Sequence, residues 1–220
     1  MLKHILYYNI KSRNINHKSR YFRLNSYISY LHKLNCDRIA WEQRKCGEIT
    51  NVLSASRVHK NEWKHDGVPF FRSSDVVSAF KGTDNDKVFI SIDLYNELIR
   101  STGKLEQGDI LITGGGSIGI PYIVPNNEPL YSKDADLIWI KKSAKHDSKY
   151  LFAYFTNPGF RNYICNISHI GTIAHYTIEQ VKDTPIPMPT MAEQQKVGNF
   201  FQNIDNLITL HQHKSFYKMC

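Results

Sequence analysis

Cysteine is sparse and scattered: Cys36, Cys46, Cys165 and Cys220 include no Cys-x-x-Cys pair. That spacing reads neither as a zinc site nor as a secreted disulfide framework, and a reducing cytoplasm is the natural inference. Long apolar runs are missing too, so no segment has the length of a membrane span. The opening Met1-Leu-Lys-His-Ile-Leu6 is too short and too quickly interrupted for a signal peptide. There is no Asn-Pro-Pro-Tyr type motif, no Walker lysine and no cluster of paired carboxylates. No internal repeat is visible. Acidic side chains are all but absent before Asp37.

What is present is basic. Lys and Arg number 28 against 20 Asp and Glu, a formal charge of +8, and ten histidines can add to it beside a polyanion. Such a balance gives salt-sensitive attraction to phosphates, although many soluble domains share it. The 220 residues suit one globular domain with appendages. Residues 1–40 are crowded with Lys, Arg, Asn, Ser and Tyr, with Ile28, Leu31 and Leu34 at helical spacing near their end. They read as a basic N-terminal extension, either an arm that holds DNA or, the favoured reading, a poorly ordered segment.

After Trp41-Glu-Gln-Arg-Lys-Cys-Gly-Glu48 the chain reads as short strands separated by Gly, Asn and Asp turns. Val68-Pro-Phe-Phe71 is a strand expected to end in a polar loop through Val77, and Gly108-Asp109 is a turn feeding Ile110–Thr113. Tyr122–Val124 and Leu137–Ile140 are further strands. Helical text returns at Ser148–Thr156 with Ser148 as cap, and Pro158 opens another helix. Thr177-Ile-Glu-Gln180 is a capping box opening a short helix.

Pro185, Pro187 and Pro189 then forbid a helix start until Thr190, which with Glu193 forms a second capping box. Val197, Phe201, Ile204, Ile208 and His211 follow a four-three-four-three rhythm, widened by Phe200 and Leu207. That stripe wants a partner helix. At about 30 residues the helix measures at most about 45 Å. The fold class expected is α+β, a mixed globular body at 41–189 and a projecting C-terminal helix at 190–220.

The Pro-x-Pro lead-in, Glu193-Gln194-Gln195-Lys196, Phe200-Phe201 and Ile204-Asp-Asn-Leu-Ile-Thr-Leu-His-Gln212 together resemble the conserved helix of the specificity subunits of type I restriction–modification systems. The Trp41–Glu48 stretch resembles the opening of their target recognition domains, with Cys46 replacing a leucine of similar apolar character. Gly108-Asp-Ile-Leu-Ile-Thr-Gly-Gly-Gly-Ser-Ile-Gly119 is similar to a further family element. Departures are the basic leader and a helix stopping at Cys220. Full specificity subunits carry two recognition domains and two such helices, and one of each stands here.

The resemblance implies a non-catalytic DNA-recognition subunit that reads half of a bipartite duplex target. Its expected partners are double-stranded DNA, modification (methyltransferase) subunits, a restriction/translocase subunit and a second copy of itself through a coiled coil. It would hold no cofactor; S-adenosylmethionine, ATP and Mg would sit on the partner subunits. Localisation would be cytoplasmic, with no membrane. The alternatives are a truncated, assembly-incompetent relic of such a subunit, and a stand-alone DNA-binding module.

Three segments are candidates for contacting DNA. In the glycine-rich element Thr113 and Ser117 supply hydroxyls and Gly115 lets the backbone approach a phosphate; a tight structural turn is the competing reading. After the Phe70-Phe71 strand, Arg72 suits bidentate contact to guanine and Ser73 and Ser74 suit phosphate or base edges. Equally, Asp75 caps a helical turn there and pairs with Arg72. In the polar loop before Thr177, His169, Thr172, His175 and Tyr176 suit hydrogen bonding or stacking. Lys133 is a phosphate candidate, with Lys60, Lys64, His65 and Lys81, although Asp134 and Asp136 can neutralise it. The helix-pairing set is Val197, Phe200, Phe201, Ile204, Leu207, Ile208 and His211.

Overall fold

In a computed structural model of the chain, residues 41–133, 136–168 and 175–217 are described, with side chains omitted at 168 and 208–217. Expectations for residues 1–40, Asp134, His169 and Thr172 lie outside the described residues, as do the side chains of Ile208 and His211.

The centre is an antiparallel sheet in the order β2 (Val52–Ser54), β8 (Leu137–Ile140), β5 (Ile110–Thr113), β6 (Pro121–Ile123). Its inner strands β5 and β8 are buried along their whole length, because apolar side chains of both parities meet cover on both faces. Ile110, Ile112, Ile138 and Ile140 face one core with Leu151, Phe155, Phe160 and Ile164. Those partners come from α4 (Ser148–Phe155) and α5 (Pro158–Ser168). Leu111, Leu137 and Trp139 face the opposite core with Val76, Leu105 and Leu130. Period-two alternation inside a continuous apolar run thus builds a helix–sheet–helix sandwich.

The polar text after Phe71 is a helix rather than a loop: α2 (Ser73–Lys81) follows strand β3 (Val68–Phe71). Asp75 starts it, its carboxylate accepting from the Arg72 backbone N–H at 2.9 Å. Strand β3 is the middle of a second sheet between β4 (Phe89–Ile90) and the parallel β7 (Tyr131–Ser132). Helix α3 (Ile92–Thr102), which the strand-rich reading missed, is capped by Ser91 Oγ, accepting from Leu94 N at 3.2 Å. Its Tyr95 packs with Phe70 and Ile90 in a third core. For α4 the cap is Asp147, whose Oδ1 accepts from Tyr150 N at 2.9 Å. Ser148 Oγ donates instead to Gly108 O at 2.6 Å.

The two segments carrying the family resemblance meet. β1 (Glu42–Lys45) pairs antiparallel with β9 (Pro185–Met188), Arg44 opposite Ile186. Prolines at every second position suit pairing along one edge only, since successive N–H groups point to opposite edges. Cys46 opens a single turn, α1 (Cys46–Ile49), and is fully buried, so its thiol is pushed up to about 12 and behaves as a core hydrophobe. Thr177 and Gln180 make the expected reciprocal caps of α6 (Ile178–Asp183), at 2.8 and 3.3 Å.

Thr190 and Glu193 start α7 (Met191–Tyr217) in the same way, with Thr190 N donating to Glu193 Oε2 at 3.0 Å. Buried Gln194 fixes its first turn to the body, accepting from Asp147 N at 2.9 Å and donating to Pro189 O at 3.0 Å. Val197 packs on the main core, whereas Leu207 is 59 % exposed. None of the helices among the described residues is long and apolar enough to cross a membrane.

Where β8 hands over to α4, His146 is buried with Nε2 placed 3.2 Å from Lys141 O. Burial disfavours the imidazolium and holds its pKa below the usual histidine value. The unfolded chain therefore binds this proton more readily than the folded one, and stability falls as pH drops below about 6.5. Urea midpoints measured between pH 7.5 and 5.5 should decline for the parent and less steeply for His146→Gln. Equal slopes would remove His146 as the cause.

Candidate nucleic-acid interface

The segments singled out in the sequence come together around Asp136. Its backbone carbonyl accepts from Ser73 Oγ at 3.0 Å and from Gly114 N at 2.8 Å. Its carboxylate pairs with Lys133 Nζ. Gly115 is bridged to His175 in an antiparallel contact, and Tyr176 N donates to Gly114 O at 2.9 Å. The start of α2, the glycine-rich turn, the β7–β8 connection and the stretch before α6 thus adjoin, although 63 residues separate Ser73 from Asp136.

Exposed on this locus are Ser74, Gly116, Ser117 and His175. Two hydroxyls, an imidazole and the electropositive first turn of a nine-residue helix form a surface suited to phosphate oxygens and base edges. Lys60, Lys64, His65 and Lys81 are also exposed.

Two candidates belong to the core instead. Thr113 is fully buried; its hydroxyl donates to Ser117 O and accepts from Ile120 N at 2.8 Å, closing the hairpin turn from within. Tyr176 is 1 % exposed, packs edge-on against Phe160, and shares a hydrogen bond with the Thr184 hydroxyl. Burial drives its pKa well above the usual tyrosine value. Neither side chain reaches solvent, so the structural-turn reading holds for Thr113 and Tyr176 is a packing residue. Gly115 is buried as well and contributes backbone only.

The turn is braced by α5. Gly119 has φ +71°, so a larger residue is strained there, and its Cβ, 2.2 Å from Ile164 Cδ1, would force that side chain to move. Arg161 Nη1 donates to Ile118 O at 2.7 Å. Sequence reasoning passed over Arg161, which sits in no motif.

Arg72 is tied down. Its Nε pairs with buried Asp75 at 2.9 Å, its Nη2 donates to Asp86 O, and its guanidinium lies 5.9 Å from the Trp63 ring centroid. The helix-cap reading of Asp75 is the one observed. Along α7, Val197 is committed to the body, Ile204 and Phe201 are half-buried, and Phe200 is 37 % exposed with its ring 5.3 Å from that of Phe201.

Known proteins match this arrangement. Residues 38–215 fit the family described as type I restriction modification DNA specificity domain. A Haemophilus influenzae protein named as a type I restriction enzyme specificity subunit is 27 % identical over 168 residues, 74 % of this chain and 40 % of that protein. The HsdS subunit from Thermoanaerobacter tengcongensis superposes with a TM-score of 0.59 at 13 % identity, over 96 % of this chain and 50 % of that one. A chain from the type I R-M system, solved for its complex assembly and conformational transition, gives 0.63 at 13 % identity over 98 % and 52 %. At such identity these likenesses establish the fold, and the chain spans about half the length of the relatives it matches. With the α+β fold and most of its length accounted for, the chain belongs to the type I restriction modification DNA specificity family, whose members recognise DNA rather than transform it.

Proposed function

We propose that the chain reads one half of a bipartite duplex target and brings the modification and restriction subunits to it. The observation that carries this is the convergence of the α2 start, the glycine-rich turn and His175 at one exposed polar locus. Chemistry resides in the partners: S-adenosylmethionine on the methyltransferase subunits, ATP and Mg on the translocase. Residues 41–189 form the recognition body, and 190–220 the spacer that pairs with the same helix of a second copy. The setting is the cytoplasm.

Co-expression with a cognate modification subunit, followed by mapping of methylated bases across the host genome, tests the reading. A symmetric bipartite motif is the expected result, because two identical chains would read two identical half-sites. Absence of new methylation, with the modification subunit soluble and present, would sink it.

Contacts should sort by their response to sequence and salt. Arg72→Ala should cost about 1–3 kcal/mol on the cognate duplex and relax preference at one position. Lys133→Ala should weaken all duplexes alike and flatten the salt dependence by about one unit of slope. Binding titrations between 50 and 200 mM salt (values set by the roughly linear range of counterion release) separate the two. An unchanged slope would remove Lys133 from the interface.

A further inference from the structure

The first turn of α2 carries more hydrogen bonding than a helix start requires. A cap needs a side-chain acceptor for one or two backbone N–H groups. Asp75 supplies that through Oδ2, which accepts from Arg72 N at 2.9 Å, but the same oxygen also accepts from Arg72 Nε at 2.9 Å. Its Oδ1 accepts from Asn85 Nδ2 at 2.8 Å, and that amide also donates to Ser74 Oγ at 3.3 Å. The Asp75 side chain is 1 % exposed, and a carboxylate so deep is tolerated only because its oxygens are answered.

The result is an arginine with little freedom left. Nε is held by Asp75, one Nη2 hydrogen by Asp86 O, and the guanidinium is placed near Trp63, which in turn contacts Phe70 at 5.9 Å. These bonds occupy two of the five guanidinium N–H groups. The side chain keeps 21 % of its surface open beside exposed Ser74. An arginine restrained this way enters a contact without losing its usual rotamer entropy, and its planar fork can approach only in one plane.

We infer that Asp75 is a positioning residue for DNA reading: with Asn85 it holds the Arg72 fork, at the exposed start of α2, in the orientation that meets a guanine edge. The inference rests on the DNA-reading function proposed above and adds to it the residues that set discrimination at one base pair. Orientation matters because the O6/N7 pair of guanine is met by two parallel N–H groups, and a tumbling guanidinium contacts any phosphate equally well.

The test assembles the full chain with its modification subunits and selects binding sequences from a random duplex library. Asp75→Asn and Arg72→Lys are compared with the parent, each checked by thermal unfolding. The parent should enrich duplexes with a G·C pair at one fixed position. Both variants should lose preference at that position alone, by about tenfold or more, the discrimination of one bidentate contact. The double variant should lose no more than either single one, since the residues act as a unit. A common loss by Asp75→Asn across every duplex, at all positions, would overturn the inference and leave Asp75 a fold residue. Should Asp75→Asn fail to fold, Arg72→Lys decides: it keeps the charge but not the fork, and retained preference overturns the inference while selective loss supports it. Failure of the parent to enrich any sequence would instead overturn the DNA-reading function, and the inference with it.

Discussion

Asp109→Ala should lower the unfolding free energy by about 3 kcal/mol, the order expected when two charge-assisted hydrogen bonds to a buried carboxylate are lost together. Asp109 is fully buried, and its two oxygens do separate work: Oδ2 accepts from Glu106 N and Oδ1 from Lys142 N, at 2.9 and 2.8 Å. The first bond closes the turn entering β5 and the second ties that turn to the end of β8. Val124 N also donates to Asp109 O at 2.9 Å, so three segments are anchored on one residue. Removal of the carboxylate leaves two backbone N–H groups unanswered and a void beneath the central sheet. Asp109→Asn keeps the shape but replaces one acceptor oxygen by a donor, so it should lose at least half as much. Urea unfolding of the two variants checks this. An Asn variant as stable as the parent would mean that one of the two bonds contributes nothing.

This residue also shows how far the sequence could be read. The turn at Gly108-Asp109 and the strand after it are legible from a glycine–aspartate pair followed by three apolar residues and a threonine, all four buried. The capping boxes at Thr177 and Thr190 are legible because cap chemistry is local: the partners sit three residues apart. By contrast α2 was obscured, since Ser-Ser-Asp is as typical of a loop as of a helix start, and only burial of Val76 against Leu137 and Trp139 decides between them. Helix α3 was lost among turn-like Asn and Asp residues for the same reason. The interface suffered most. Thr113 and Tyr176 have polar groups suited to DNA, yet whether a hydroxyl faces solvent depends on how the turn or helix that follows it folds back. Ile120 N and the Thr184 hydroxyl, their actual partners, lie 7 and 8 residues away in a turn and across a helix. Pairing of the two motif segments, β1 with β9, is likewise a long-range event that no local pattern announces.

Gly198→Ala should destabilise the chain by about 1–3 kcal/mol, the range for overpacking a tight contact, although alanine is the better helix former by about 1 kcal/mol. Helix α7 crosses the start of α4 at this glycine. A Cβ there would stand 2.7 Å from Asp147 Oδ1 and 2.8 Å from both Lys149 Cβ and Tyr150 N. Two of those obstacles cannot move cheaply: Tyr150 N is backbone, and Asp147 Oδ1 is held as the cap of α4. The contact lies one turn beyond Gln194, whose two hydrogen bonds set the same crossing, and beside Asn199, which accepts from Lys149 Nζ at 2.9 Å. Relief must therefore come from α7 lifting off the body, which strains the Gln194 bonds and turns the Phe200–Leu207 stripe. Gln195→Ala, on the exposed side of the same turn, is the matched control and should be neutral within about 0.5 kcal/mol. Chemical unfolding measures the two variants, and protease cleavage within α7 reports its release. A gain in stability for Gly198→Ala, as at an ordinary solvent-facing glycine, would show that α7 does not dock on α4. If the helix spaces two half-sites as proposed, the undocked variant should also lose the bipartite methylation motif while its recognition body still binds DNA, because the angle between body and spacer is set at this crossing.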